Sequence, residues 1–84
     1  MESTTRFSRV RIEERTTDWL LTWDADTGAE DHPTAVDAQR AVLMRDRLLA
    51  KSGIGMVTII DWRPNTWVGR EVVKALCAAT EVSQ

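Results

Sequence analysis

The sequence predicts an α+β fold. The expected architecture is a two-layer β-β-α-β-α domain, with a three-stranded antiparallel sheet in the order 2-1-3 and two helices on one face. Three observations predict it. Residues 7–16 and 18–24 alternate apolar and polar with the period of a strand. Residues 34–51 and 67–80 place apolar side chains at helical spacing. Between them Met56-Val57-Thr58-Ile59-Ile60-Asp61-Trp62 reads as a short apolar strand. The unit from Thr34 to Trp62 is the scaffold on which the shorter elements pack.

A chain of 84 residues holds one small domain, 1–84, with 1–5 and 81–84 read as frayed tails. At this size the stability margin is thin, and association with a second copy is a common remedy. With 43% hydrophobic and 29% charged residues the composition is that of an ordinary globular chain. No apolar run has membrane-spanning length, and Met1-Glu2-Ser3-Thr4-Thr5-Arg6 lacks the apolar centre of a secretory signal. A single cysteine, Cys77, forms no internal disulfide and fits a reducing compartment, so a cytoplasmic location is expected.

The net charge of −2 is unevenly spread. Residues 18–37 hold Asp18, Asp24, Asp26, Glu30, Asp31 and Asp37 with no Lys or Arg, which leaves the rest of the chain positive. Such a polarised chain can orient a partner or a second copy. The plainer reading is a solvated acidic segment.

In the first strand, Ser8, Val10, Ile12 and Glu14 share one face, while Phe7, Arg9, Arg11, Glu13 and Arg15 share the other. Arg15-Thr16-Thr17-Asp18 supplies turn residues, so a hairpin is expected. In the second strand Trp19, Leu21 and Trp23 should face the core, since each Trp ring hides about 150–250 Å². Ala25 to Pro33 reads as an acidic connector turning at Gly28. Thr34-Ala35-Val36-Asp37 resembles a capping box with Asp in place of Glu. The helix it opens carries one apolar stripe of Ala38, Ala41, Val42, Leu48 and Leu49, with Met44 at the margin. A second line of Val36, Leu43 and Ala50 lies on nearly the opposite side. Gly53 or Gly55 ends this helix.

The third strand is apolar on both faces, with Val57 and Ile59 on one and Met56, Ile60 and Trp62 on the other. Asn65 or Thr66 caps the second helix, whose stripe is Val68, Val72, Ala75, Leu76 and Ala79. The sheet face away from the helices is expected to show Arg9, Arg11, Leu20, Thr22, Ile60 and Trp62.

Chemistry-bearing patterns are sparse. Asp24-Ala25-Asp26-Thr27-Gly28 has the look of a calcium loop, but Gly stands one place early and position twelve is Ala35 where a Glu is needed. His32 beside Glu30 and Asp31 offers a weak ion site without zinc spacing. Neither Cys77 nor Ser8, Ser52 or Ser83 has a nucleophile setting, and Gly53-Ile54-Gly55 precedes a strand, not a helix. Asp61 is expected to pair with an Arg. No metal, no cofactor and no catalytic residue is therefore assigned.

Arg45 falls inside the first helix's apolar stripe. Its stem packs while the head snorkels outward or pairs with an acid such as Asp61, or the head anchors an acidic partner. Trp62 and Trp67 flank Arg63-Pro64-Asn65-Thr66; either both rings cap the end of the core, or they serve with Arg63 as an anchor of the kind usual in protein interfaces. The expected function is a non-enzymatic protein-protein interaction module, a homodimer or the receptor of another protein. Its contact residues are drawn from Arg9, Arg11, Leu20, Leu43, Arg45, Ile60, Trp62, Arg63 and Trp67. The size suits small accessory or regulatory proteins of bacteria and phages. The alternative is nucleic-acid binding through the Arg-rich first strand with Trp62 stacking, against which the pI of 5.3 weighs.

Overall fold

A computed structural model describes residues 4–23 and 28–82. The chain runs β1 (Thr4–Glu14), β2 (Trp19–Trp23), β3 (Ala29–His32), α1 (Ala35–Lys51), β4 (Ile54–Arg63) and α2 (Trp67–Val82). The α+β class is as the sequence predicts, but the sheet has four strands in the order β3-β2-β1-β4. β1 pairs antiparallel with β2, and β2 with β3, whereas β4 runs parallel to β1. β1 starts at Thr4, opposite Ile54, and α2 continues to Val82, so both reach into segments that read as tails.

The strand missing from the sequence reading is β3, which occupies part of the expected acidic connector. Ala, Glu and Asp are poor strand formers. The strand forms because side chains on both of its faces find partners. Trp23 Nε1 donates to Glu30 at 3.1 Å, and Arg15 Nη2 donates to Asp31 at 2.6 Å. This strand also explains the changed direction of β4. One extra antiparallel strand reverses the chain before α1, and the helical crossover then delivers β4 parallel to β1.

The core lies between the sheet and both helices. Val10, Ile12, Trp19, Leu21 and Trp23 from the sheet bury against Ala35, Ala38 and Val42 of α1. Burying a side chain such as Ile12 or Leu21 contributes about 1.5–3 kcal/mol. The alanines let α1 come close to the sheet. Thr34 opens α1 as expected, accepting the Asp37 N–H at 3.1 Å and donating its hydroxyl to the Asp37 carboxylate at 2.9 Å. Gly53 ends it at φ 86°, a left-handed conformation open to glycine. Half-way along β4, Thr58 Oγ1 donates to Asp46 at 2.8 Å and ties the strand to α1.

Register corrects the expected faces of β4. Val10 stands beside Ile60 and Ile12 beside Trp62, so Ile60 and Trp62 lie on the helix side and pack against the core. They are not on the open face. Trp62 meets Trp19 edge-on, with ring centroids 6.1 Å apart. Val57 and Ile59 take the open face instead. A strand apolar at both parities has no preference of its own, and its neighbour's register decides.

Both helix stripes are also rotated. In α1 the row Ala38, Ala41, Val42 continues to Arg45, whose guanidinium carbon sits 4.3 Å from the centre of the Trp23 ring. Leu48 and Met44 are left exposed. In α2 the packed row is Val72, Val73 and Leu76 with Gly69 buried, so Val68 and Ala75 point away. The side chain of Ala79, and the calcium-like segment from Asp24 to Thr27, lie outside the described residues.

The start of α2 is fixed by Glu14 at the end of β1. Its carboxylate accepts the Asn65 N–H at 2.7 Å, the Thr66 N–H at 2.8 Å and the Thr66 hydroxyl at 2.8 Å. Asn65 Nδ2 donates to the Glu14 carbonyl at 2.5 Å, and Thr66 Oγ1 accepts the Gly69 N–H at 2.9 Å. Burial opposes the charged form of Glu14, but the hydrogen bonds from Asn65 and Thr66 outweigh it and hold the carboxyl below its ordinary 4.5. A negative charge at a helix N-terminus is also favoured by the helix dipole.

Candidate interaction surface

The sheet face away from the helices is built by the residues that alternate with the core. Along β1 and β4 the direct neighbours are Phe7 with Val57, Arg9 with Ile59, Arg11 with Asp61 and Glu13 with Arg63. On the other side β2 adds Thr22 beside Arg11 and Leu20 beside Glu13. The face is therefore graded. One end is apolar, with Phe7 76% exposed, Val57 45% and Ile59 51%. The other end is charged with alternating sign.

Most charges on that end already have partners. Arg63 donates Nε and Nη2 to one Asp61 oxygen at 3.0 and 2.9 Å. That hydrogen bond is the main reason the Asp61 carboxyl is held below its ordinary range, with Arg11 and Arg9 adding attraction. Asp61 pairs with an arginine as expected from sequence, but the arginine is Arg63 and not Arg45, which lies over Trp23. Arg15 grips Asp18 through Nε at 2.9 Å and Nη2 at 3.0 Å while also reaching Asp31. Arg11, Glu13, Trp62, Arg63, Pro64 and Asn65 line a shallow cleft of about 430 Å³ at this end.

The residues expected to form one contact surface are divided among several places. Arg9, Arg11, Leu20 and Arg63 share the open face. Leu43 stands on the outer side of α1 with Val36, both exposed. Trp67, 71% exposed, begins α2 beside exposed Val68. Ile60, Trp62 and Arg45 lie on the core side. Arg45 borders a second groove, lined also by Trp23, Glu30, Ala41, Met44 and Leu48.

Sequence reasoning missed Phe7, Val57 and Ile59 as surface residues. The alternation of β1 does put Phe7 with Arg9 and Arg11, and that was the available signal. The face of Val57 and Ile59 depended on the direction of β4.

Strand alternation also divides the acidic trio of β3. Glu30 and His32 share the core-side face, where His32 Nε2 lies 3.2 Å from Glu30 Oε1, and Asp31 pairs with Arg15 on the other. Among the described residues no group of three His, Cys, Asp or Glu converges as metal ligands would, and no helix is long and apolar enough to cross a membrane. Cys77 is exposed. Compared with known family models, curated proteins and solved structures, the chain matches none.

Proposed function

We propose that this chain is a non-catalytic protein-interaction module of the cytoplasm, and that the open sheet face receives a protein partner. The observation that carries the reading is the patch of Phe7, Val57 and Ile59, contiguous by strand register and uncovered in a domain this small. Arg9 and Arg11 border it, and an apolar centre with an Arg-bearing rim is the usual anatomy of a binding surface. Nucleic-acid binding has less support. Arg15 and Arg63 are engaged by carboxylates, and the expected stacking ring, Trp62, packs on Trp19.

The test is site-directed photo-cross-linking in the native cells. A benzophenone side chain at position 7 should give one discrete adduct with a protein. The same group at exposed Arg47, on α1, should give none. The adduct should vanish when Ile59→Arg is added. Equal labelling from both positions, or none from position 7, overturns the reading.

A further inference from the structure

We infer that β4 is the seam of a homodimer, pairing antiparallel with the same strand of a second copy about a two-fold axis at Thr58. This names one partner within the interaction reading and rests on that reading, but it uses a different surface, the edge of the sheet.

The two edges of the sheet are guarded differently. β3 is four residues long and carries Glu30 and Asp31, and short charged edges resist pairing. β4 is ten residues long and has no charge before Asp61 and no proline. It is the terminal strand beyond β1, so one side of its backbone faces away from the sheet. Among the described residues, the backbone hydrogen bonds outside helices and strands do not involve it. A long apolar edge of this kind adds a strand from another chain.

The side chains of β4 point to a second copy as that chain. A two-fold pairing keeps each face together, so only residues of the same parity meet. With the axis at Thr58, Val57 meets Ile59 of the second copy, Met56 meets its Ile60, and Ile54 meets its Trp62. Thr58 meets itself, and Asp61 meets Gly55, which leaves the carboxylate free for Arg63. A register centred at Val57 pairs only residues 54–60 and sets Ile59 against Gly55, and those centred nearer Asp61 fail on charge. An axis at Ile59 sets Val57 against Asp61, an axis at Ile60 sets Ile59 against Asp61, and an axis at Asp61 opposes two carboxylates. The favoured register pairs residues 54–62, a seam about 30 Å long with roughly eight to ten new backbone hydrogen bonds. It also brings Val57 and Ile59 of both copies side by side, joining the two open faces into one.

Sedimentation equilibrium over about 1–200 μM tests this. The wild type should approach twice its 9.5 kDa mass as concentration rises. The double variant Val57→Lys/Ile59→Lys opposes like charges at the seam. Both positions are exposed in one copy, so it should stay folded by circular dichroism and lose the dimer. In a Cys77→Ser background, Thr58→Cys should form a disulfide-linked dimer on oxidation, because residues meeting at the axis come within reach of a disulfide. Asp61→Cys should not. A monomeric wild type, a dimer that survives the two lysines, or equal cross-linking from positions 58 and 61 overturns the seam. A monomer that still gives the position-7 adduct overturns the seam alone. An intact dimer without that adduct removes the open-face receptor alone.

Discussion

Replacing Gly69 with Ala should destabilise this protein, although the same change in most helices does the opposite. Ala is favoured over Gly in a helix by about 1 kcal/mol. Here an added Cβ would overlap the Glu14 carboxylate. That carboxylate cannot simply swing aside, because three donors from Asn65 and Thr66 hold it. Hydrogen bonds to a charged group contribute about 1.5–3 kcal/mol each when sheltered. Glu14 is only half-buried, so about 2 kcal/mol for the whole clamp, the upper range of a helix N-cap, is the fitting scale. The net expectation for Gly69→Ala is a loss of about 1 kcal/mol, or a melting temperature lower by about 4–8 °C. The decisive experiment is a double-mutant cycle by urea denaturation at fixed protein concentration. Once Glu14→Ala has removed the clamp, Gly69→Ala should become stabilising, with a coupling near 2 kcal/mol between the two sites. If Gly69→Ala stabilises the wild type as much as it does Glu14→Ala, the clamp does not hold the start of α2.

Three further expectations test other joints. Glu14 is held below 4.5 in the folded chain, so as pH falls the unfolded chain binds its proton first. The clamp's contribution is full above about 4.5 and is lost as pH falls through the lower folded value; Glu14→Gln should flatten that acid limb in urea midpoints measured from about pH 7 to 3. Arg45→Leu should leave the fold intact and cost no more than about 1 kcal/mol, the scale of a cation–π contact, while altering the fluorescence of Trp23. Failure to fold would mean that Arg45 neutralises a buried charge. Ile60→Lys should unfold the chain, whereas Ile59→Lys should shift the stability of the single copy, measured at low protein concentration, by less than about 0.5 kcal/mol, since within one copy the first points into the core and the second into solvent. Equal effects in thermal melts would refute the register of β4.

The parts of the fold legible in sequence are those where one signal suffices. The alternation of β1 and β2 placed Val10, Ile12, Trp19, Leu21 and Trp23 correctly, because apolar side chains dominate one face of each strand and polar ones the other. Thr34 and Thr66 act as caps where they were expected, since capping depends on a few adjacent residues. β3 was hidden because its sequence is acidic and its stability is supplied by Trp23 and Arg15, residues seven and more positions away. The five residues between Trp23 and Ala29 include Gly28, a spacing suited to a hairpin, and that was the overlooked signal. Missing that one strand carried through to β4, because each added antiparallel strand reverses every later direction.

The interaction surface was less legible for a related reason. Residues were assigned to it by type, Trp and Arg, and type does not say which face a side chain takes. Trp62 belongs to the core side because Trp19 is there to receive its ring edge, and Arg45 because Trp23 offers its face. With the two large polar-tipped side chains turned inward, the outward surface is left to Phe7, Val57 and Ile59. These three would need a third layer to be buried, and the elements of the described residues supply only two. The parallel pairing that corrects the fold is thus what uncovers the apolar patch. β4 is at the same time the edge of the sheet, so the unguarded strand and the uncovered face meet at the same two residues, Val57 and Ile59.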